Sequence, residues 1–214
     1  MRRLFLIAIT AITLASCSKD DYTGSGNTVS EFRDVNLFTK LSSEGNFVVN
    51  ITQGPTQSLE IIADDNIIGR VKTAVSDGLL KIYLEDGNYK NTYLEANITV
   101  ADLNGIKNEG TGDITVFELQ NAGIMEIENI GTGNIAIAGY TDNLTIINEG
   151  SGTINCAEFM AANADIRIEG SGDSEVYCTE SLKVNIEGSG NVYYKGSPSM
   201  IIDISGSGKV IPMN

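Results

Sequence analysis

The residues in this sequence that could do chemistry are oxygen-bearing side chains beside repeated glycine-rich corners. Between residues 110 and 208 the motif Gly-Ser/Thr-Gly occurs six times, and its glycines there are Gly110, Gly112, Gly131, Gly133, Gly150, Gly152, Gly170, Gly172, Gly188, Gly190, Gly206 and Gly208. Glycine-rich loops can cradle phosphate, but a phosphate loop is followed by a helix whose N-terminus faces the anion. Here each corner is followed by another strand-like segment. The glycines therefore indicate bends, where backbone must pack closely, rather than a nucleotide site.

Carboxylates flank these corners and raise the question of calcium, which prefers oxygen ligands. The weak candidates are Glu109, Asp113, Glu149, Glu169, Asp173 and Glu187. Stacked corners would align these groups in rows, where like charges repel and a cation would relieve the repulsion. However, Ile130 and Ser205 interrupt the glutamate row, and calcium-binding glycine-rich repeats have about half this period. Solvated surface carboxylates are the favoured alternative, and the pattern assigns neither a metal nor any other cofactor.

Composition argues against most enzyme classes and against nucleic acid as a partner. The chain has no histidine, which removes His-based triads and metal sites, and its formal net charge is −14. Nucleic-acid binding needs basic groups to neutralise phosphate. Paired carboxylates could still hydrolyse polysaccharide, but the acidic residues recur at equivalent repeat positions rather than in one unique cluster. We expect that the protein is not an enzyme, and a carboxylate-based, glycan-active enzyme is the least favoured interpretation.

The spacing of the corners predicts the fold. Their first glycines lie 18 to 21 residues apart, and apolar residues alternate with polar ones on both sides of each corner. That alternation is typical of half-buried strands, and one such unit cannot bury its apolar face unless it stacks on its neighbours. The sequence therefore predicts an all-β solenoid with coils of about 18–21 residues. One domain spans 31–214, irregular to about 105 and regular from about 106.

The buried columns contain two polar features. Asn108, Asn129 and Asn148 have inward parity, and we expect their amides to form a ladder along the stack; three loop asparagines near a turn are the alternative. Cys156 and Cys178 fall on different columns. That offset disfavours a disulfide between them and favours small core residues.

The N-terminus resembles a bacterial lipoprotein leader. A basic head and an apolar run end in "LASC", so 1–16 is predicted to be a signal peptide and Cys17 to carry the lipid anchor. The following "SKDD" resembles the surface-export signal of Bacteroidota lipoproteins. The composition of residues 17–30 predicts a flexible tether. These features predict an outer-membrane lipoprotein exposed on the cell surface, with a periplasm-facing protein as the alternative.

Three motifs in the irregular half identify a family resemblance. The segments "GNFVVNITQG", "IIADDNIIGRVKTAV" and "GLLKIYLE", followed by the repeated corners, resemble the head domain of autotransporter adhesins called the GIN domain. The resemblance covers the chain from about Phe32 onward. It implies a right-handed, single-stranded β-helix on an envelope protein. It implies no known activity and carries no functional residues over to this chain.

These observations favour a non-catalytic binding or adhesion module whose ligand is a surface protein or glycan. The alternative is a structural envelope component that assembles with itself. The last unit, "SGSGKVIPMN", is an incomplete coil, and the open end of a solenoid exposes unpaired strand edges. Either Pro212 blunts that edge or a second copy covers it, so a homo-oligomer is left open.

Overall fold

The structure, a computed structural model, describes residues 20–213, apart from the side chains of residues 121 and 122. The predicted signal peptide 1–16 and the predicted lipidation site Cys17 lie outside the described residues. Among the residues described, no helix has the length and apolar character needed to cross a bilayer.

The described part of the chain is built from strands, with a single 3-10 turn at Ile68–Arg70. In chain order the strands are β1 (Asp21–Thr23), β2 (Thr28–Phe32), β3 (Lys40–Ser43), β4 (Val48–Gln53), β5 (Ser58–Asp64), β6 (Val71–Ser76), β7 (Leu79–Leu84), β8 (Asn88–Lys90), β9 (Leu94–Val100), β10 (Gly105–Asn108), β11 (Ile114–Asn129), β12 (Ile135–Asn148), β13 (Ile154–Ile168), β14 (Ser174–Ile186), β15 (Val192–Lys195), β16 (Ser199–Ile204) and β17 (Val210–Pro212). The predicted all-β solenoid is confirmed.

The corners divide the solenoid into two sheet faces. Strands that precede a corner form the first face, in the order β6, β7, β3, β10, then the second halves of β11 to β14, then β16. Strands that follow a corner form the second face, in the order β2, β5, β9, β4, then the first halves of β11 to β14, then β15 and β17. From β7 and β9 onward, neighbours along each face are parallel. The two faces therefore rise together, one coil at a time.

Coil order in space departs from chain order at the N-terminal end. The coil of β7 and β9 packs on one side of the β3–β4 coil, although it follows that coil in the chain. The chain then returns past it, and β10 pairs with the other side of β3. Beyond it, β5 and β6 run antiparallel to the second and first faces and close this end. This excursion explains why the repeat is irregular before residue 105.

Aliphatic columns fill the interior between the faces. Ile106, Ile127, Ile146, Ile166 and Val184 are each at most 3% exposed and pair in register across successive coils. Alternation places every second side chain inside, and stacking at about 4.8 Å lets like residues pack on like. Burial of these columns stabilises the fold by about 25 cal/mol per Å² of apolar surface removed from water.

The corner glycines are required for close packing rather than for an unusual backbone angle. None of the twelve has a positive φ. Instead, a Cβ added at any of them would lie 1.8–2.1 Å from a carbonyl oxygen of the preceding coil, as at Gly131 against Gly110 and Gly150 against Gly131. Each glycine Cα thus packs directly on the backbone below it, a contact that Cα–H···O interactions favour. Even alanine has no space at these positions.

The flexible-tether prediction for 17–30 is wrong for part of that segment. β1 pairs with β8, and β2 pairs with β5. The buried carboxylate of Asp64 accepts hydrogen bonds from the backbone N–H groups of Gly26 and Tyr93 at 2.8 and 2.7 Å. The Gly- and Ser-rich composition suggested a linker, but these contacts with distant residues order it.

The cysteine predictions agree with the structure. Cys156 and Cys178 are free and buried. Cys156 pairs in register with Val176, whereas Cys178 pairs with Ala161. The two thiols therefore occupy different columns, and both pack as small core side chains.

A single methyl group should test the corner packing. We expect Gly131→Ala to lower the free energy of unfolding by at least about 3 kcal/mol, because the new Cβ overlaps the Gly110 carbonyl oxygen and neither backbone can move freely. Gly69→Ala is the matched control, since no atom lies within 4 Å of its added Cβ. Urea unfolding followed by circular dichroism measures both. Equal, small losses in the two variants would contradict the packing account.

Candidate functional site

The six corners stack into a continuous ridge that is braced from inside. Asn108, Asn129 and Asn148 are buried, and each side-chain amide donates to the carbonyl oxygen four residues on, that of the second glycine of its own corner, at 3.0, 3.1 and 3.0 Å. The amide of each asparagine also fills the space under the second glycine of the next corner. In the later coils the methyl groups of Ile168 and Ile186 take that place.

The inward position of the asparagines is as predicted, but the hydrogen bonds are not those of a ladder. The amide groups turn toward their own corners, and that of Asn148 also donates to the Asp173 carbonyl oxygen of the next coil at 3.2 Å. The buried side-chain oxygens of Asn129 and Asn148 have no hydrogen-bond partner among the described residues. A ladder would pair each oxygen with the amide of the adjacent coil. Each amide instead donates to the carbonyl oxygen of its own corner, because that buried backbone group would otherwise have no donor.

A side-chain ladder does exist, on the other side of the corner. Asp113 Oδ1 accepts hydrogen bonds from the backbone N–H and the side-chain amide of Asn134 at 2.7 and 3.1 Å, and Asn134 Oδ1 accepts from the N–H of Thr153 at 2.9 Å. Asp173 and Asn191 repeat the arrangement, ending on the N–H of Lys209. These oxygens join coil to coil, so Asp113 and Asp173 serve the stacking of the solenoid.

The glutamates before the corners make polar contacts on the ridge surface. Glu109 accepts a hydrogen bond from Ser42 at 2.9 Å. Arg167 lies between Glu169 and Glu187, with nitrogen–oxygen distances of 2.8 and 3.3 Å. Within residues 20–213, no three Asp, Glu or Cys side chains are grouped in a way that could hold a metal ion. The carboxylates of the ridge are therefore engaged mainly with protein donors.

Where the repeat breaks, the ridge borders a cleft of about 700 Å³. One wall consists of the corners at Glu44–Asn46 and Glu109–Thr111. The other is the irregular corner of the β7–β9 coil, which contributes Tyr83, Glu85 and Tyr89. Glycines form part of the cleft lining because the ridge has no side chains at those positions. We refer to this site as the acidic cleft.

The far wall of the acidic cleft is held rigid by aromatic and ionic contacts. The rings of Tyr22 and Tyr89 stack with centroids 5.3 Å apart, and the Arg70 guanidinium lies 3.7 Å from the centre of the Tyr22 ring. Glu85 pairs with Lys72 at 2.8 Å and with Arg70 at 3.4 Å. The Tyr89 hydroxyl donates to the Glu85 carbonyl oxygen at 2.8 Å. A preorganised wall of this kind binds ligand at a lower entropic cost.

Electrostatics in the cleft suit binding better than acid catalysis. The hydrogen bond from Lys72 lowers the pKa of Glu85, whereas a general acid needs a raised carboxyl pKa. The hydrogen bond to Glu44 raises the pKa of Lys81, so that ammonium group stays charged. Away from the cleft, burial raises the pKa of the Cys156 thiol far above its usual range, which removes it as a nucleophile.

The chain matches the model of a known protein family. The family model described as "Putative auto-transporter adhesin, head GIN domain" matches residues 37–198. The chain belongs to this family. The GIN domain match includes five of the six corners of the ridge and all residues that line the acidic cleft, and it confirms the resemblance seen in the sequence motifs.

Solved structures share the fold of this GIN domain. A "putative adhesin" from Bacteroides fragilis is 22% identical with a TM-score of 0.75, covering 90% of this chain and 100% of its own. A "putative lipid binding protein" from Parabacteroides distasonis is 23% identical with a TM-score of 0.62, covering 91% and 100%. A "putative adhesin" from Parabacteroides merdae is 19% identical, with the same TM-score and the same coverage. No curated protein matches the chain.

The acidic cleft was only partly foreseen. Glu109 stood out in the sequence as a carboxylate beside a corner, but nothing indicated that Glu85 would face the ridge. That proximity depends on the β7–β9 coil packing out of chain order. The one available signal was "SSEGN" at 42–46, a degenerate corner. In the structure its Gly45 lies beneath Gly110, so Glu44 stacks with Glu109 and Asn46 takes the place of the usual Ser or Thr.

Replacing one internal asparagine should test the bracing of the ridge. We expect Asn129→Ala to lower the free energy of unfolding by about 1–3 kcal/mol, because the buried Gly133 carbonyl oxygen loses its donor and a small cavity forms. Asn185→Ala is the control: its amide bonds Glu187 at the surface, and its loss should cost about 0.5 kcal/mol or less. Denaturant titration compares the two. An Asn129→Ala loss no larger than that of the control would refute the bracing role.

Proposed function

We propose that this GIN domain is a non-catalytic binding module of the adhesion type, held at the cell surface by a lipid on Cys17. The observation that carries the proposal is the acidic cleft, which combines carboxylates, hydroxyls and tyrosine rings beside a rigid scaffold. Concave sites with a few fixed polar groups and aromatic surfaces are the usual form of ligand sites. The family description and the names of two structurally similar proteins agree with adhesion.

The chemistry of the cleft favours a hydroxylated or amine-bearing ligand. Glu109 and Glu85 can accept hydrogen bonds from sugar hydroxyls or pair with ammonium groups, and Tyr83 offers an aromatic face at the rim. The acidic character disfavours anionic ligands. A glycan or a basic protein segment therefore fits better than a phospholipid headgroup.

The name of the Parabacteroides distasonis protein raises lipid binding as another function. In this chain the interior columns between the faces are filled by aliphatic side chains, and the acidic cleft is open and polar. An acyl chain needs an apolar cavity or groove of its own length. The adhesion-type proposal therefore has the better structural support.

A direct binding test uses residues 18–214, which contain every described strand, on a panel of immobilised glycans and extracellular matrix proteins. We expect saturable binding to a subset of the panel. Tyr83→Ala and Glu109→Gln should each weaken it about tenfold or more, equivalent to about 1.4 kcal/mol. Tyr193→Ala is the matched control, because Tyr193 is equally half-buried but lies on a coil far from the cleft. A panel without saturable binding, or equal affinity in all variants, would overturn the proposal.

Surface display is tested separately. Antibody against residues 18–214 should label intact cells that produce the full chain, and Cys17→Ala should abolish the labelling, because removing the thiol removes the acylation site. The total amount of protein in lysates is the control. Labelling only after permeabilisation would place the protein on the periplasmic side, and undiminished labelling of the Cys17→Ala cells would rule out the lipid anchor.

A further inference from the structure

The two ends of the solenoid are finished differently. At the N-terminal end the last parallel strands are covered by antiparallel ones. β6 pairs with β7, β5 pairs with β9, and β2 pairs with β5, each in the antiparallel direction. At the C-terminal end, β16 pairs with β14 alone and β17 pairs with β15 alone among the described residues. Only the C-terminal end therefore presents a bare parallel edge.

The C-terminal end also exposes the apolar core. In β14, Val184 and Ile186 are 1% and 0% exposed. Their in-register partners in β16, Ile202 and Ile204, are 44% and 41% exposed, and Met200 is 45% exposed. These three side chains continue the interior column but have nothing above them in the described chain. Contiguous apolar surface of this kind marks an interaction site.

The two edge strands at this end are not equivalent. β17 contains Pro212, which has no N–H to offer a neighbouring strand. β16 reads Ser-Met-Ile-Ile-Asp-Ile, and Asp203 is its single charged residue. Monomeric proteins usually protect such an edge with lysine, proline or a bulge. Docking through a strand is therefore expected on β16 rather than on β17.

The ladder of polar side chains indicates which way a partner can approach. Asp113, Asn134, Asp173 and Asn191 each accept the N–H of the next parallel coil. Lys209 holds the equivalent position in the last coil, and its side chain has no acceptor atom. Another parallel coil would find no side-chain acceptor there. The free edges at the N-terminal end belong to β6, which runs antiparallel to the first face, and to β2, so a head-to-tail copy could not continue both faces as parallel strands. A two-fold contact between like ends remains.

Charge permits that contact. The chain carries a formal net charge of −14, yet in the segment 199–213 Asp203 and Lys209 balance each other. Two copies repel when their acidic flanks approach, because like charges interact over about 10 Å at moderate salt. Their C-terminal ends can meet without that penalty.

We propose that a second copy of this chain docks antiparallel on β16, about a two-fold axis that passes through Ile202. Antiparallel partners on one face have the same parity, so Ile202 faces its own counterpart and Met200 faces Ile204 of the other copy. The dimer joins the two interior columns into one continuous core. Because each end is used once, the assembly closes at two copies.

The first experiment is cross-linking of residues 18–214 carrying Ile202→Cys. Residues facing across the axis have Cα atoms about 4.5–5.5 Å apart, within the range that a disulfide spans. Oxidation should give a covalent dimer on non-reducing gels. Leu37→Cys is the control, since Leu37 is 81% exposed but precedes β3, away from β16. Equal cross-linking of both variants, or none with Ile202→Cys, would overturn the proposed axis.

The second experiment measures mass in solution by size-exclusion chromatography with light scattering. The unsubstituted protein should have twice the monomer mass, Ile202→Asp should have the monomer mass because two carboxylates would meet at the axis, and Leu37→Asp should stay dimeric. Thermal unfolding by circular dichroism verifies that Ile202→Asp remains folded; should it unfold, Met200→Asp replaces it. A monomeric unsubstituted protein at 100 µM and above, or a dimer that survives a folded Ile202→Asp or Met200→Asp, would refute the proposal. Ligand binding at the acidic cleft is independent of this outcome.

Discussion

The structure depends on one steric constraint: the backbone of each corner packs directly on the backbone of the corner below. The corner residues are glycines because the carbonyl oxygen of the corner below occupies the space that a Cβ would need. Both sheet faces must then rise by one strand spacing per coil. The internal asparagines, the outer Asp–Asn ladder and the aliphatic columns all follow from that common rise.

This constraint also determines where function can lie. Inside the repeat, the inward side chains form columns, and many polar side chains beside the corners make coil-to-coil contacts. Even the carboxylates of Asp113 and Asp173 accept backbone N–H groups. Features that do not repeat arise where the stacking is interrupted. The acidic cleft forms at the coil that packs out of chain order, and the apolar end forms where the ladder stops at Lys209.

Much of the fold could be predicted from the sequence because the spacing of the repeated motif gives the length of one coil. The Gly-Ser/Thr-Gly spacing indicated the coils, and the alternation of residues such as Ile127 and Ile146 indicated the core. Three features required the structure. The order of the β3–β4 and β7–β9 coils depends on pairing between distant segments, the ordering of residues 21–32 depends on the buried Asp64, and the asparagine amides had two competing acceptors whose balance no local pattern reveals.

Native-state hydrogen exchange tests the central claim most directly. The backbone N–H groups of Ser151, Ser171 and Ser189 donate to the first-glycine carbonyl oxygens of the preceding corners at 3.0–3.2 Å. If stacked corners hold the solenoid together, these amides should exchange as slowly as those of the buried strand segment around Ile166, at rates set by global unfolding. Exchange at the corners as fast as that of the exposed Thr56 in the bend between β4 and β5, with the strands still protected, would contradict the account.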